Sequence, residues 1–521
     1  MRTPDLRLGI DVGGSSTDAV VLDTAGRVIA KCKVPTSDDV TGGMLSALRR
    51  ILRNGAVDAR RITHVMAGTT HATNALLRRR GLWRVAVVRI GSPSAEAIDP
   101  LSGWPDDLRR AACAGSAVIR GGFELDGREI ASLDTGALAR FLRDLPGPVQ
   151  GVAITSVFAS VAPDHEIRAR DIVWDVLGEQ VHVSLSHEIA SPGIIERENA
   201  TVLNAALIGV AQDVATAVSG ALASSGLDDP AIYLAQNDGS VMALDYALQF
   251  PVLTIGSGPA NSIRGAGYLS GLADAIVADV GGTSTDIGVL VSGFPRESAI
   301  GVRIGGLDTN VRMPDLLTIP IGGGTVISSG AGGVRVGPES IASRLDGAAL
   351  IFGGDEPCLA DAAVAVGRAR GGTTPPPAQL LPLLSSAIEI ADKRIADAID
   401  RIKSGQADEP LVVVGGGSVI LAGELSGVTT VTRPQDYDVA NAVGAAIASV
   451  SGQIDRIFQL VGRNRSSALE YAKELARDQA VRAGADPAGI EITDIEEIPL
   501  TYMLDPAVRI RVKAVGSLSP L

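Results

Sequence analysis

The sequence predicts an α/β protein of two duplicated lobes around a cleft, with a small α+β C-terminal appendage. Three observations predict it. The octapeptide Asp11-Val-Gly-Gly-Ser-Ser-Thr-Asp18 returns as Asp279-Val-Gly-Gly-Thr-Ser-Thr-Asp286, with seven of eight positions identical. Apolar β-like runs flank both copies, so the repeat is one duplicated supersecondary unit and not a short-period array. A third glycine run, Gly415-Gly-Gly417, closes the apolar stretch Leu411–Val414.

In chain order, Leu6–Val12, Ala19–Leu22 and Val28–Val34 read as a hairpin and a third strand, with a turn at Asp23–Gly26. A helix is expected over Thr41–Leu52, then a strand at Ile62–Ala67, a short helix after Gly68, and a strand at Val85–Ile90. Residues 92–150 are polar, turn-rich and less regular. Gln150–Phe158 and Gln180–Ser186 read as strands flanking a helix over Ala162–Leu177. A long Ala-rich helix runs from about Glu198 to Ser224, followed by strands at Ile232–Ala235 and Val241–Ala243. Pro251–Pro259 reads as a turn-rich loop, and Gly301–Gly354 as glycine-rich and loop-dominated. The breakers Gly371–Pro377 precede a helix at about Leu380–Ile402. Ala440–Val450 is a small-residue helix. The tail carries an amphipathic helix at Ser466–Ala483 and β-like runs at Ile490–Ile495 and Val508–Val515. The expected domains are 1–190, 191–452 and 453–521.

The net charge of −13 argues against nucleic-acid binding, which needs a basic stripe, and against anionic membranes. Cys32, Cys113 and Cys358 are far apart and form no C-x-x-C pair, so neither a disulfide framework nor a zinc cluster follows. No signal-peptide pattern opens the chain and no stretch reads as long enough to span a bilayer, so a cytoplasmic protein is expected.

The chemistry sits in the repeat. D-x-G-G-[ST]-x-T-D reads as strand, tight turn and return strand. Its glycines let backbone approach a ligand closely, and their N–H groups with the Ser/Thr hydroxyls form a donor nest for phosphate oxygens. The leading aspartate can hold Mg²⁺ through water. No Gly-Lys dipeptide occurs, so no Walker loop competes. One copy is a weak signal, because a Gly-Gly hairpin turn is ordinary. Two copies imply hairpins that face each other and grip a polyphosphate from both sides. Val412-Val-Val-Gly415-Gly-Gly-Ser418 fits a strand end on which an adenine or ribose lies. The set resembles the actin/hexokinase/Hsp70 superfamily, whose lobes are ribonuclease-H-like.

The intervening segments narrow the resemblance. Gly68-Thr-Thr-His-Ala-Thr-Asn-Ala-Leu-Leu77, Ser186-His-Glu-Ile-Ala-Ser-Pro192 with Glu196-Arg197 and Thr201-Val-Leu-Asn-Ala205, Pro251–Ala260 and Val336-Gly-Pro-Glu-Ser340 are similar, in order, to segments of the hydantoinase A/oxoprolinase family. Two departures stand out: Gly193-Ile-Ile195 replaces Arg-Glu-Tyr, and Leu345–Pro357 replaces a P-G-P-A-C-Y-G segment, with Cys358–Ala362 its nearest echo. Both affect the substrate side and leave the nucleotide motifs untouched.

The resemblance implies ATP with Mg²⁺ or Mn²⁺, and hydrolysis of a cyclic amide or imide through phosphorylation of its amide oxygen. It further implies a hydantoinase B-type or other partner subunit in an oligomer. The rival readings are a small-molecule kinase on the same fold, an acetone-carboxylase-like ATPase subunit, and a protein-binding switch. Asp11 and Asp279 would hold the metal or orient the attacking group. Gly13, Gly14, Ser15, Gly281, Gly282 and Thr283 would hold phosphates, and Gly415, Gly416, Gly417 and Ser418 the adenosine. Thr17 belongs with that set or, with Asp18, Thr285 and Asp286, braces the turns. Thr69, Thr70 and Asn74 either face substrate or cap a helix. His71 is the general-base candidate. Glu188, Glu196 and Arg197 read as substrate contacts or as a structural ion pair, and Ser257 as a nucleotide contact or a turn residue. His182 and His187 lie five apart and would face opposite sides of a regular strand, which argues against a shared metal.

Overall fold

The computed structural model describes residues 6–14, 16–36, 40–53, 57–189, 191–227, 229–298, 301–330, 332–462, 464–501 and 505–519. Ser15 lies outside them. The fold is mixed α/β.

Three larger sheets organise the described residues. The first has nine strands, in the order Glu491–Pro499, Ala507–Gly516, Val450–Gln459, Val241–Ala243, Ala231–Ala235, Ile62–Thr69, Leu6–Val12, Ser16–Leu22 and Val28–Pro35. The second runs Phe294–Pro295, Thr285–Val291, Ala275–Val280, Glu409–Val414 and Val428–Thr432, and Leu316–Ile319 also pairs with Thr285–Val291. The third has the order Cys113–Arg120, Val85–Ser92, Gly151–Ser156 and His182–Leu185, and all its pairings are parallel. The central strands are buried on both faces, as parallel strands covered by helices require.

The duplication is visible in the backbone. In the first hairpin Asp11 pairs with Asp18 and Val12 with Thr17. In the second, Asp279 pairs with Asp286 and Val280 with Thr285. Each turn is closed in the same way, Gly13 N–H donating to Ser16 O at 3.0 Å and Gly281 N–H to Ser284 O at 2.9 Å. Each leading strand also has a parallel neighbour, Ile62–Thr69 in the first sheet and Glu409–Val414 in the second.

Two helices join these units. Ser257–Ser270 packs on the second sheet and Ala440–Ala446 on the first, and the two cross at glycines. A Cβ on Gly265 would lie 1.8 Å from Ala440 O, and one on Gly444 1.9 Å from Asn261 O, so only glycine permits the crossing.

Several expectations are corrected. Residues 92–150 contain the helices Asp106–Ala112 and Thr135–Arg143 and the sheet strand Cys113–Arg120. That strand's small, half-buried residues give little apolar periodicity. Pro251–Pro259 is not loop throughout, because Ser257 opens a helix. Pro259 falls in its first turn, where a missing N–H costs no hydrogen bond. Ala440–Val450 splits into a helix ending at Ala446 and a strand starting at Val450. Gly301–Gly354 holds two short two-stranded ribbons. The C-terminal helix Arg465–Arg482 and strands form as expected, yet they extend the first sheet and are not a detached appendage. Strands from residues 6–69, 231–243 and 450–516 share that sheet, so neither residue 190 nor residue 452 separates one sheet from the next. The helix Ile194–Ser224 has 31 residues and a mean hydropathy of 1.5 in its most apolar window, which is long and apolar enough to cross a bilayer by length and composition. Over half of that window is buried against the strands and helices of this protein, as in a core helix.

Candidate functional site

The two hairpins open onto one cleft of about 1100 Å³. Asp11, Gly13, Gly14, Ser16 and Asp18 line it from one side, and Asp279, Gly281, Gly282 and Asp286 from the other. Gly415, Gly416 and Gly417 complete the wall beside the second hairpin. The twin turns and the third glycine run, far apart in sequence, therefore share one opening.

Each leading aspartate sits in a matching pocket. A Cβ on Gly68 would come 2.2 Å from Asp11 Oδ1, and one on Gly415 2.3 Å from Asp279 Oδ1. Gly68 is the next-to-last residue of its parallel neighbour strand and Gly415 follows its own directly, so each carboxylate lies against bare backbone. The helices supply the donors. Asn441 Nδ2 donates to Asp11 Oδ2 at 2.9 Å, and Ser262 Oγ donates to Asp279 Oδ2 at 2.5 Å. Burial pushes the Asp11 carboxyl up to about 6; the Asp18 charge adds to the rise, and hydrogen bonds from Asn261 and Asn441 oppose it. Burial likewise raises Asp279, against the Ser262 hydrogen bond. Asp18 and Asp286 are also raised by burial.

Lys33, on the third strand of the first sheet, donates from Nζ to Asp18 at 2.6 Å and to Asp438 O at 3.0 Å. It brings a cation to the cleft wall. Arg344, also on the wall, is paired with Glu356. Neither Asp11 nor Asp279 makes an ion pair among the described residues. Two buried carboxylates without an ion-pair partner among the described residues, on a cleft that glycine backbone also lines, fit a divalent cation carried by a polyphosphate. No group of three or more His, Cys, Asp or Glu able to hold a metal occurs among the described residues, so phosphate oxygens and water would complete such a cation's shell.

The glycine loops pack backbone to backbone. Gly417 N–H donates to Val280 O at 2.7 Å, Gly323 N–H to Gly281 O at 3.0 Å and Gly324 N–H to Gly282 O at 2.7 Å. Ser418 is fully buried and does not line the cleft, whereas Val419 of the same short helical turn, Ser418–Ile420, does. Thr283 is exposed at its turn and does not line the cavity. Thr17 is buried against Thr36 (Oγ1–Oγ1 3.2 Å) and braces the turn.

The Gly68–Asn74 segment contributes Thr70 alone to the wall. Thr70 is the N-cap residue of helix His71–Arg78, without a side-chain capping bond, and its Oγ1 donates to Val12 O at 3.3 Å. Asn74 Nδ2 donates to Thr70 Oγ1 at 3.3 Å. Thr69 Oγ1 and His71 Nδ1 are 2.6 Å apart. His71 does not line the cleft, so the general-base assignment has no geometric support. Ser257 is buried behind Gly258 and Pro259, which do line it.

Arg197 is fully buried; Nε donates to Ser186 Oγ at 2.9 Å and Nη2 to Ser156 O at 2.5 Å. Among the described residues Arg197 pairs with neither Glu188 nor Glu196, and Glu188 lies 4.0 Å from Arg482 instead. The buried pair of this region is Arg89–Glu198, a two-pronged contact at 2.7 Å on each prong. Glu188 lies on a different cavity.

Sequence reasoning missed Lys33, Gly68 in its packing role, Ser262, Asn441, Gly323 and Gly324. The Gly-Gly-Gly run at 322–324 was the one visible signal among them.

Residues 7–177 match the hydantoinase/oxoprolinase N-terminal region, and residues 197–375 match hydantoinase/oxoprolinase. Among curated proteins, the chain is 27% identical over 390 residues to the acetophenone carboxylase gamma subunit of Aromatoleum aromaticum, covering 69% of this chain and 53% of that one. It is 29% identical over 491 residues to caprolactamase subunit alpha of Pseudomonas jessenii, covering 86% and 66%. It is 26% identical over 409 residues to 5-oxoprolinase of Saccharomyces cerevisiae, covering 68% and 31%. The chain thus spans between about a third and two thirds of the length of these relatives. A solved structure of ATP-dependent caprolactamase from Pseudomonas jessenii shares the fold, with a TM-score of 0.77 at 21% identity over 98% of this chain and 88% of that one.

Proposed function

The chain belongs to the hydantoinase/oxoprolinase family, and from that premise we propose that it is the ATP-using part of an amidohydrolase that opens a cyclic amide or imide, such as a hydantoin or an oxoproline-like lactam. The observation that carries this reading is the single cleft on which both Asp-x-Gly-Gly hairpins converge.

In this reading the N–H groups of Gly14 and Gly282 donate to phosphate oxygens from opposite sides, those of Gly13 and Gly281 being spent on closing the turns, and Lys33, which also pairs with Asp18, brings a cation to the wall. Asp11 and Asp279 would hold Mg²⁺ (or Mn²⁺), which when bound would supply charge neutralisation to the transferring phosphoryl group. Asn441 and Ser262 fix those carboxylates, so that their geometry precedes ligand binding. The γ-phosphoryl group passes from ATP to the amide oxygen, ADP leaves and the amide proton is lost, which makes the ring carbon attackable. Water adds to that carbon, the ring nitrogen leaves as the amine, and a second water converts the acyl phosphate to carboxylate and phosphate. The acceleration comes from positioning and fixed charge.

Two of the relatives are named as subunits. On that support we infer a hydantoinase B-type or other partner subunit. A second reading keeps the cleft and changes the chemistry: an ATPase subunit serving a carboxylase, favoured by the 27% identity to a carboxylase subunit.

The test is phosphate release from MgATP against a panel of cyclic amides and imides, with and without the candidate partner subunit and with and without bicarbonate. Stimulation by a lactam with a ring-opened product supports the hydrolase. Release that requires bicarbonate and gives a carboxylated product replaces it with the carboxylase reading.

A further inference from the structure

We propose that a second cavity, separate from the nucleotide cleft, is a binding site for a small organic carboxylate with an apolar body, its charged end held by Arg456. This cavity of about 350 Å³ shares no lining residue with the cleft and falls in the size range of small-molecule sites. It lies between the strand Val450–Gln459, the helix Arg465–Arg482 and the segment around His187.

On its wall the Arg456 guanidinium, the Nε2 atom of His187 and the Oδ1 atom of Asn310 lack a protein partner among the described residues. The half-buried Arg456 guanidinium has neither a hydrogen bond nor an ion pair there. Its neighbours differ: Arg509 and Arg511 both grip Asp455, and Arg312 is occupied by Gln453 and Glu297. Burial drives the Arg456 pKa down, while the nearby Tyr471, Glu188 and Glu166 oppose the fall. A desolvated guanidinium without an acceptor presents its planar fork to a carboxylate.

The second group is His187. Its Nδ1 lies 2.7 Å from Glu166 Oε2, and that carboxylate also accepts from Ser156 N–H at 2.7 Å and His187 N–H at 3.0 Å. The ring is thereby fixed, and Nε2 is left for a ligand. The third is Asn310 Oδ1, buried without a partner while its Nδ2 is committed to the Ser191 and Pro192 carbonyls. A buried orphan acceptor calls for a donor from a ligand or water. Tyr246 and Phe250, with ring centroids 4.7 Å apart, form an apolar wall for the ligand's body.

Elsewhere on the lining the charges are mostly met within the protein, Arg482 lying 4.0 Å from Glu188 and Asp455 held by Arg509 and Arg511, while Asp478 adds a negative charge. The one lining guanidinium without an acceptor among the described residues therefore suits a monoanion better than a phosphate dianion.

Calorimetric titration of the full chain with pentanoate, pentanamide and inorganic phosphate tests the site, with thermal melting as the fold control. Pentanoate is expected to bind about tenfold or more tightly than the amide or phosphate, and Arg456→Gln to lose about tenfold in pentanoate affinity with no change in amide affinity. Arg456→Lys, which keeps the charge and removes the fork, is expected to fall between the two. Equal binding of acid and amide, preference for phosphate, unchanged affinity in a folded Arg456→Gln protein, or no pentanoate binding to the parent chain overturns the proposal.

Discussion

A buried carboxylate tolerates its charge only where something positive meets it, and among the described residues neither Asp11 nor Asp279 has an ion-pair partner, Lys33 acting on Asp279 only at longer range. Asn substitutes for Asp without changing shape and can still accept from Asn441 or Ser262. Asp11→Asn and Asp279→Asn are therefore expected to lower ATP turnover by about a hundredfold or more with melting temperature retained. Full phosphate release in either variant would remove the metal-holding role.

Asp11 also sets a pH dependence. Its folded value of about 6 lies above the ordinary 3.8, so the folded state binds the extra proton. The stability this group contributes is complete below the ordinary value and lost as pH rises through about 6. Above that point the ionised carboxylate favours a bound cation. The thermal stabilisation given by Mg-nucleotide is expected to grow from about pH 5.5 to about 7.5, and to flatten in Asp11→Asn. An equal shift at both pH values would contradict it. Lys33→Met is expected to weaken nucleotide binding by about tenfold, because the lysine lies at the cleft surface beside Asp18, its neighbour on the adjacent strand; titration of nucleotide checks this, with denaturation of the free variant reading the separate cost of leaving buried Asp18 unpaired.

At the scale of elements, the glycines act by absence. A Cβ on Gly417 would lie 2.2 Å from Gly281 O, and a backbone atom cannot swing aside as a side chain can. Gly417→Ala is expected to cost about 1–3 kcal/mol and to displace the loop from the second hairpin. Chemical denaturation reads the cost, and an unchanged midpoint would show that the loop moves freely. The hairpins were legible in the sequence because strand, turn and return strand are encoded in eight contiguous residues. The helix opening at Ser257 was not, because Gly-Ser-Gly-Pro has the composition of a turn and becomes helical through its packing on the second sheet. The strand Cys113–Arg120 was equally hidden, since it is held by parallel pairing to Val85–Ser92 and not by its own apolar pattern.

At the scale of the molecule, the first sheet gathers strands from the beginning, middle and end of the chain. Val450–Gln459 pairs with Val241–Ala243 and then carries the last two strands. A chain ended after residue 449 would bare that edge and the core face under the helix Arg465–Arg482. It is expected to be insoluble or to melt broadly. A soluble, cooperatively folding truncation would restore the view of the tail as an appendage.

The sequence by itself determined the twin turns, their glycines and their aspartates, because local sterics write a strand–turn–strand into adjacent residues. The tertiary structure alone decided that both turns share one opening, that Gly68, Lys33, Ser262 and Asn441 meet the aspartates there, that His71 and Ser418 stay away, and that the tail completes the first sheet. Those outcomes join residues distant in the chain, and a contact made by chain crossing and helix packing leaves no periodicity in either of the segments it joins.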